Sequence, residues 1–368
     1  MKFKKILEQI GWPRLIIGLF FILLIVISPF LGLHLTDIFS DVLRRWAMFG
    51  ILVLAMVPGV QSGIGLNFGI SLGIVAGLIG STTAIEITYR HGDNYRPWID
   101  LGMSLLIAIP IAIVLGFSYG LLLNRVKGSE MTVSTYVGFS AIALSNIVWL
   151  ALPFRSGTLV WPIAGDGMRN TISLEQSFGG LMSDPAVTAN QPFPLNLLAF
   201  EIGGVIVPIG TILVVLLFCL LMWLFLHSKW GIAMSAAGEN ELFTRSNAIN
   251  VDHMRILGTV ISTVLGAIGI IMYAQVFGFL QLYNAPLMMG FACVAAVLIG
   301  GASTTRASIS NVIIGTLLFQ GILTTSLPVI KELMPQGSTL SEVIRIIISN
   351  GIILYALSKA KGGTQNES

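Results

Sequence analysis

The sequence predicts an all-α membrane protein, a polytopic bundle of about ten transmembrane helices in two inverted-topology halves, with broken helices inside the bundle. Hydrophobic residues make up 55% of the 368 residues and charged residues 10%, which lies outside the range of soluble globular domains. Apolar runs of about twenty residues recur along the chain, and polar segments separate them. We therefore expect one membrane domain over residues 1–361 and a polar tail over residues 362–368.

The first apolar run, Leu15 to Leu33, follows the basic N-terminus Met1-Lys2-Phe3-Lys4-Lys5. This arrangement resembles a secretory signal, but the run is too long and no small-x-small cleavage site follows it. The pattern therefore predicts an uncleaved first span whose basic end lies inside the cell.

The remaining predicted spans follow from apolar length and polar breaks. They run from near Trp46 to Pro58-Gly59, Gly65 to Thr83, Asp100 to Lys127, Met131 to Leu152, Leu197 to Leu226, Met254 to Val276, Met288 to Ile299, Ser308 to Thr325, and Leu340 to Leu357. An even number of spans places both termini on the same side.

The Lys and Arg residues indicate which side this is, because basic residues concentrate in cytoplasmic loops. The side of the membrane that contains both termini would carry Lys2, Lys4, Lys5, Arg125, Lys127, Lys229, Arg245, Arg255, Arg306, Lys359 and Lys361. The opposite side would carry Arg44, Arg45, Arg90, Arg96, Arg155, Arg169 and Lys331, diluted among acids. The bias predicts cytoplasmic N- and C-termini, although the Arg44-Arg45 pair opposes it.

The polar segment over residues 229–253 is flanked on both sides by long apolar runs. Asn240 can cap a short helix, Glu241 to Asn247, and Asp252 can cap the long helix that begins near His253. The segment is predicted to form a cytoplasmic projection that binds another protein, and an ordinary loop is the alternative. On the other side, the proline-rich connection over residues 153–196 is predicted to cap an entrance, and a simple connector is the alternative.

Two polar breaks interrupt apolar runs without introducing charge. One is Pro58 to Gly73, and the other runs from Asn284-Ala285-Pro286 to Gly300 through Thr305. Helices break inside a membrane only where protein or a cavity satisfies the freed backbone groups, so both breaks indicate a translocation path between inverted repeats. The candidate path residues are Asn67, Phe68, Ser71, Asn284 and Phe291. Close helix packing is the alternative, and it is the interpretation we favour for Gly116 and Gly120.

Motifs for catalysis and cofactors are missing from the sequence. It contains no phosphate-binding loop, no His-Glu-x-x-His and no Gly-x-Ser-x-Gly, and Cys219 and Cys293 lie in apolar runs as packing residues. We expect no catalytic, metal-binding or cofactor-binding residue, and the dispersed positive charge predicts no nucleic-acid partner. Few ionisable residues lie deep in the spans, which favours a neutral polar solute and energy supplied by another chain.

Four motifs, in order, resemble the ribose- and branched-chain-amino-acid-type permeases of bacterial ATP-binding-cassette (ABC) importers. They are Gly65-Leu66-Asn67-Phe68-Gly69-Ile70-Ser71-Leu72-Gly73, the segment from Gly238-Glu239-Asn240 to Ile249-Asn250-Val251, Ala295 through Ser303, and Gly315-Thr316-Leu317-Leu318. The resemblance covers most of the chain from about Phe39 to the last span. It departs from the family at Asn67 (often Asp), at Phe68-Gly69 (usually Leu-Ser), at Ala248 (usually Gly) and in the longer outer loop.

This resemblance implies a permease in the bacterial inner membrane that pairs with a second copy or a homologous permease chain. It implies two ATPase subunits, which carry the ATP and Mg²⁺, and an extracytoplasmic solute-binding protein that delivers the solute. The ATPase contact would include Gly238, Glu239, Asn240, Arg245, Asn247 and Asn250. We call residues 229–253 the coupling segment.

The predicted function is a translocation path for a simple sugar, with ATP hydrolysis on the partner chains. A nucleoside is the alternative substrate, since it is also neutral and hydroxylated. A self-contained channel or ion-coupled carrier is the alternative from another class, and it would move solute without any partner.

Overall fold

A computed structural model describes residues 12–90, 96–152, 154, 156, 159, 170–333, 343–344, 346–347, 350–351 and 354. Within these ranges the chain is an all-α bundle, as predicted, and eight helices are long and apolar enough to span a membrane. The basic N-terminus, most of residues 153–169 and most of the tenth predicted span, Leu340 to Leu357, lie outside the described residues.

The elements follow one another along the chain. The helices are α1 (Trp12–Ile27), α2 (Leu35–Leu54), α3 (Met56–Gln61), α4 (Ile70–Arg90), α5 (Pro97–Arg125), α6 (Glu130–Ala151), α7 (Pro185–Thr188), α8 (Ile209–Leu226), α9 (Lys229–Glu239), α10 (Glu241–Ser246), α11 (Val251–Phe277), α12 (Asn284–Ile299) and α13 (Ile309–Leu333). Short 3-10 turns cover Ser28–Leu31 and Leu195–Leu197. Strands β1 (Thr171–Ser173) and β4 (Phe279–Gln281) pair antiparallel, as do β2 (Phe200–Ile202) and β3 (Val205–Val207).

The second predicted span begins too late, because α2 starts at Leu35 rather than near Trp46. Its first part is amphipathic, with Ile38 and Val42 buried one turn apart. Polar residues on its other face interrupt the apolar run, so a search for continuous apolar runs does not detect this part of the helix. The eighth and ninth spans also differ from prediction, since α12 starts at Asn284 and α13 continues to Leu333.

Two other predicted spans begin too early. The third span starts at Ile70 rather than Gly65, because Gly63 and Gly65 adopt the left-handed backbone with φ of 77° and 83°, which a helix cannot contain. The sixth span starts at Ile209 rather than Leu197, because the apolar residues before it form a 3-10 turn and the β2–β3 hairpin.

Helix α11 is the central helix, and glycines on two neighbours allow close approach to it. A Cβ on Gly73 of α4 would lie 2.3 Å from the carbonyl oxygen of Thr263. On α5, Cβ atoms on Gly116 and Gly120 would lie 3.0 Å and 3.1 Å from backbone atoms of α11. Gly116 and Gly120 therefore lie in a close helix–helix contact, as the packing interpretation of these two glycines predicts.

The helix ends form two distinct regions. At one end, which we call the coupling end, Gln61 donates a hydrogen bond to the Ala307 carbonyl and Lys127 pairs with Glu241 of α10. At the other, which we call the loop end, β1 pairs with β4 and the Gly180 amide donates to the Gln275 carbonyl at 2.8 Å. The described part of the long outer loop therefore packs onto the end of α11.

The two halves repeat the same path in opposite directions, as predicted. Helices α2 and α3 run from the loop end to the coupling end, residues 62–69 turn back into the bundle, and α4 and α5 follow. Helix α11 runs from the coupling end to the loop end, residues 278–283 turn back, and α12 and α13 follow. Inverted repeats of this kind place their broken segments against one another near the middle of the bundle.

Candidate functional site

Two hydrogen bonds in the interior of the bundle join residues 67–71 to the second half of the chain. The Asn67 side-chain amide donates to the Ser262 hydroxyl at 2.9 Å, and Ser262 lies near the midpoint of α11. In the next turn of chain, the Ser71 hydroxyl donates to the Pro286 carbonyl at 2.8 Å. The first turns of α4 and α12 are therefore in direct contact, although the two residues are far apart in sequence.

Asn67 supports this junction from inside. Its side-chain oxygen accepts hydrogen bonds from the Tyr119 hydroxyl and the Gly69 amide, each at 3.0 Å, while its amide donates to Ser262. The side chain is buried and its hydrogen-bonding capacity is largely used by protein groups. Asn67 therefore fixes the start of α4 against α5 and α11, and it is not among the residues that line the cleft described below.

We expect Asn67→Ala to lower the free energy of unfolding by about 1–3 kcal/mol, because Tyr119 and the Gly69 amide lose a buried partner. Thermal unfolding of the purified chain in detergent measures the change. Asn284→Ala is the matched control, since Asn284 is exposed and its loss should change stability by less than about 0.5 kcal/mol. Equal destabilisation by both substitutions would contradict the supporting role of Asn67.

A narrow cleft lies where the two halves meet. Phe68, Ser71 and Phe291 line it, and α6 adds Phe139 and Thr135. The rings of Phe68 and Phe291 are 5.5 Å apart between centroids, and those of Phe139 and Phe291 are 6.3 Å apart. The cleft offers about 20 Å³, which is roughly the space that one water molecule needs. The aromatic rings therefore leave the cleft almost closed.

Sequence reasoning found three of the cleft-lining residues and missed those of α6. Thr135, Phe139 and Ile142 recur at helical spacing on one face of α6, but this spacing does not distinguish a cleft from a lipid-facing stripe. Asn284, the fifth candidate path residue, is exposed and does not line the cleft. No Asp, Glu, Lys, Arg or His occurs among the described residues that line the cleft.

Side-chain caps define the helices of the coupling segment. The Ser228 hydroxyl accepts from the Gly231 amide at 3.3 Å and caps α9, and the Asn240 side chain accepts from the Phe243 amide at 2.9 Å and caps α10, as predicted. Asp252 does not cap α11, contrary to prediction. The Asn250 side chain accepts from the His253 amide at 3.1 Å instead, because α11 begins at Val251 and Asn250 holds the N-cap position.

Close backbone contact holds the coupling segment against the C-terminal end of α3. A Cβ on Gly238 would lie 2.3 Å from the Gln61 carbonyl oxygen, so only glycine allows this approach. Met234 and Ala237 of α9 form a small apolar core with Val251 and Met254 of α11. Helix α9 therefore packs directly against residues 61–63, which lead into the inward turn that carries Asn67 and Phe68.

Charged groups connect the coupling segment to the α5–α6 connection. Lys127 contacts Asp252 at 2.6 Å and Glu241 at 3.1 Å, and Arg245 contacts Glu241 at 2.7 Å. The hydrogen bond from Lys127, with help from Arg245, lowers the pKa of Glu241 below its ordinary value of 4.5. A lowered carboxyl pKa adds stability that is present at neutral pH and is lost as the pH falls through the folded-state pKa. The groups are partly exposed, so each pair contributes little.

The structure places most predicted ATPase-contact residues on the surface of the coupling segment. Asn240, Arg245, Asn247 and Asn250 are exposed, whereas Gly238 packs against Gly63. Glu239 is exposed and pairs weakly with Arg306 at 3.4 Å. The role of each of these residues as an ATPase contact stays a prediction.

Two exposed apolar residues of α10 were not among the ATPase contacts predicted from the sequence. Leu242 is 81% exposed and Phe243 is 63% exposed, at the most solvent-accessible part of the coupling segment. Adjacent large apolar residues in a short polar helix were the available sequence signal. Ala248, which follows α10, has a φ of 59°, a left-handed backbone conformation that favours glycine.

A membrane bundle in which the helices after the turns of two inverted halves, α4 and α12, meet at a closed cleft has the architecture of a transport permease. The chain matches the family model described as branched-chain amino acid transport system, permease component, over residues 38–356. The chain belongs to that family, which confirms its resemblance to the branched-chain-amino-acid and simple-sugar permeases of ABC importers. Comparison with curated proteins gave no match, and comparison with solved structures gave none.

Proposed function

We propose that this permease forms the translocation path of an ABC importer for a simple sugar. The observation that carries the proposal is the uncharged cleft where α4 and α12 meet, lined by Phe68, Ser71, Phe139 and Phe291. A path without ionisable groups favours a neutral solute, because a charged solute at this depth would need a compensating partner.

The chemistry of the cleft suits a hydroxylated solute. Ser71 and Thr135 line it with hydroxyl groups, whose oxygens can accept hydrogen bonds from a sugar. The phenylalanine rings offer flat apolar faces to the C–H surface of a sugar. A nucleoside is the second candidate, because the same cluster of rings can stack on a base.

The closed cleft also favours a partner-driven permease over an open channel. A space for about one water molecule does not pass a sugar, so the two halves must separate before solute crosses. The contact between Gly238 and residues 61–63 offers a route by which a partner at the coupling end could drive this separation. We assign that partner as an ATPase subunit that holds ATP and Mg²⁺ and contacts the exposed Leu242 and Phe243.

The orientation and the second partner follow from the same assignment. We place the coupling end and both termini in the cytoplasm of a bacterial cell, with the loop end outside the inner membrane. At the loop end, Phe193, Leu197 and Ile202 are large, apolar and exposed beside the packed outer loop. Such a patch fits a docking surface for a solute-binding protein. A second permease chain would complete the path.

Uptake by reconstituted vesicles tests the function. The chain is purified from native membranes with its co-purifying partners, placed in proteoliposomes with ATP inside, and supplied with labelled pentoses, hexoses or nucleosides. Uptake of a sugar that requires ATP and the partners supports the proposal, whereas preferential uptake of a nucleoside selects the second candidate. Uptake by the chain alone, without an ATPase, would overturn both in favour of a channel or ion-coupled carrier.

Phe139→Ala tests whether the cleft contacts the solute. Phe139 is partly exposed, so its loss should leave folding intact, but it removes one of the rings beside Phe291. We expect KM for the imported solute to rise about tenfold, which corresponds to about 1.4 kcal/mol of lost stacking. Ile147→Ala is the matched control, because Ile147 is an exposed apolar residue of the same helix outside the cleft. An unchanged KM in Phe139→Ala would remove this residue from the path.

A further inference from the structure

A large apolar groove opens on the side of the bundle, away from the path. Its volume is about 830 Å³, which is within the range of pockets that hold drug-sized ligands. Helix α5 forms one wall with Val114 and Phe117, and α11 forms the other with Leu257 and Val260. Phe225 of α8 and Trp230 of α9 close it from the coupling end.

The groove faces the lipid side of the bundle. Val114 and Phe117 are at least half exposed, and both belong to a membrane-spanning helix, so hydrocarbon rather than water contacts them. The hydroxyl of Ser118, a polar group in the lining, donates to the Val114 carbonyl of its own helix at 2.9 Å. The inner part of the groove therefore offers apolar surface to a flexible apolar chain.

Basic residues border the groove at the coupling end. Arg125 follows Val114 and Ser118 by eleven and seven residues on α5, which places it on the same helical face, about two to three turns closer to the coupling end. Lys229 immediately precedes Trp230, and His253 lines the groove itself. The rim therefore has a positive character where lipid headgroups lie.

Arg125 and Lys229 differ from four other basic residues at this end. Lys127, Arg245, Arg255 and Arg306 each form an ion pair with a carboxylate. Among the described residues, Arg125 and Lys229 have no carboxylate within ion-pair distance, and both are exposed. Asp252, the acid next to His253, is already engaged by Lys127. The charge at the rim is therefore not neutralised by the part of the chain that the structure describes.

We propose that the groove binds an anionic phospholipid of the leaflet at the coupling end, of the phosphatidylglycerol type. Its acyl chains fill the apolar groove between α5 and α11, and its phosphate lies between Arg125 and Lys229. The Trp230 indole lies at the level of the headgroup, where amphipathic rings are favoured. An apolar floor with unpaired cations at its mouth matches such a lipid in both charge and shape.

The position of this lipid gives it a role in coupling, and this part of the inference rests on the proposed function. The groove is walled by Trp230 of α9 and by His253 and Met254 of α11, which lie in or beside the coupling segment. A bound lipid would bridge these residues to α5 and hold α9 in place. Anionic lipid is therefore expected to increase solute-stimulated ATP hydrolysis by the assembled transporter.

Lipid binding is measured on the intact chain and does not depend on transport. The purified chain is placed in nanodiscs with equal phosphatidylglycerol and phosphatidylcholine, and lipid that remains bound after detergent extraction is counted by native mass spectrometry. The chain with Arg125→Gln and Lys229→Gln should bind phosphatidylglycerol about thirty-fold more weakly, because each cation contributes roughly a fivefold preference. Arg96→Gln with Lys331→Gln, two exposed cations at the loop end, is the matched control and should retain binding.

Val114→Trp tests the groove separately from the charge. The substitution fills the groove from an exposed position, so it should displace lipid of either headgroup without disturbing the fold. Equal retention of phosphatidylglycerol by the original chain and both variants, or no preference over phosphatidylcholine, would overturn the proposal. Bound phosphatidylglycerol without any effect on ATP hydrolysis would support the site and overturn its role in coupling.

Discussion

A chain with Leu242→Ala and Phe243→Ala is expected to lose its ATPase partner and all ATP-dependent uptake while it keeps its fold. Both side chains are mostly exposed, so the bundle gains no stability from burying them. Large apolar residues at the centre of an interface commonly contribute about 2 kcal/mol or more each. Removal of both should weaken the complex by about a thousandfold.

Co-purification of the ATPase with the tagged chain in mild detergent measures this loss, and circular dichroism reports the fold. Leu197→Ala is the control, because Leu197 is also an exposed apolar residue but lies at the loop end. That variant should keep the ATPase. If the double variant still co-purifies with an ATPase at the original yield, α10 is not the docking element.

The second large effect is expected at Arg255. Its guanidinium donates to Glu130 at the start of α6 and, at 3.1 Å, to the Asn124 side-chain oxygen, and Arg255 is only 5% exposed. Arg255→Met leaves the Glu130 carboxylate without its partner in a largely buried position. We expect a loss of about 3–5 kcal/mol in the free energy of unfolding, because an unpaired buried charge is far more costly than a missing pair.

The double variant Arg255→Met with Glu130→Leu should recover much of this stability, since it removes both charges together. Arg306→Met is the control for loss of a cation, because its pair with Glu239 is exposed and should contribute less than about 1 kcal/mol. Thermal unfolding of the purified variants separates these cases. If Arg255→Met melts at the same temperature as Arg306→Met, the α5–α6–α11 junction does not depend on the ion pair.

The sequence determined the features that depend on short-range chemistry. Asn240 caps α10 through the amide three residues later, and this contact is readable from adjacent residues. Apolar length predicted the class of fold, and the first polar break, Pro58 to Gly73, contains the inward turn at residues 62–69. The second predicted break was placed wrongly at its start, because Asn284, Ala285 and Pro286 belong to the first turn of α12 and the chain turns at residues 278–283 instead. The ordered motifs gave the family, which the match over residues 38–356 confirms.

Only the tertiary structure decided which polar and aromatic residues line the cleft. Asn67 and Ser71 belong to the same break, but Ser262 and Tyr119 surround Asn67, while Ser71 remains at the cleft. Phe139 joins them from α6, whose periodic pattern is the same on a lipid-facing surface. The physical reason is that burial depends on which helices pack together, and those helices are separated by up to about two hundred residues along the chain. The local sequence pattern contains no information about such distant partners. It therefore predicts where a helix is interrupted, but not which side chains near the interruption line the cleft.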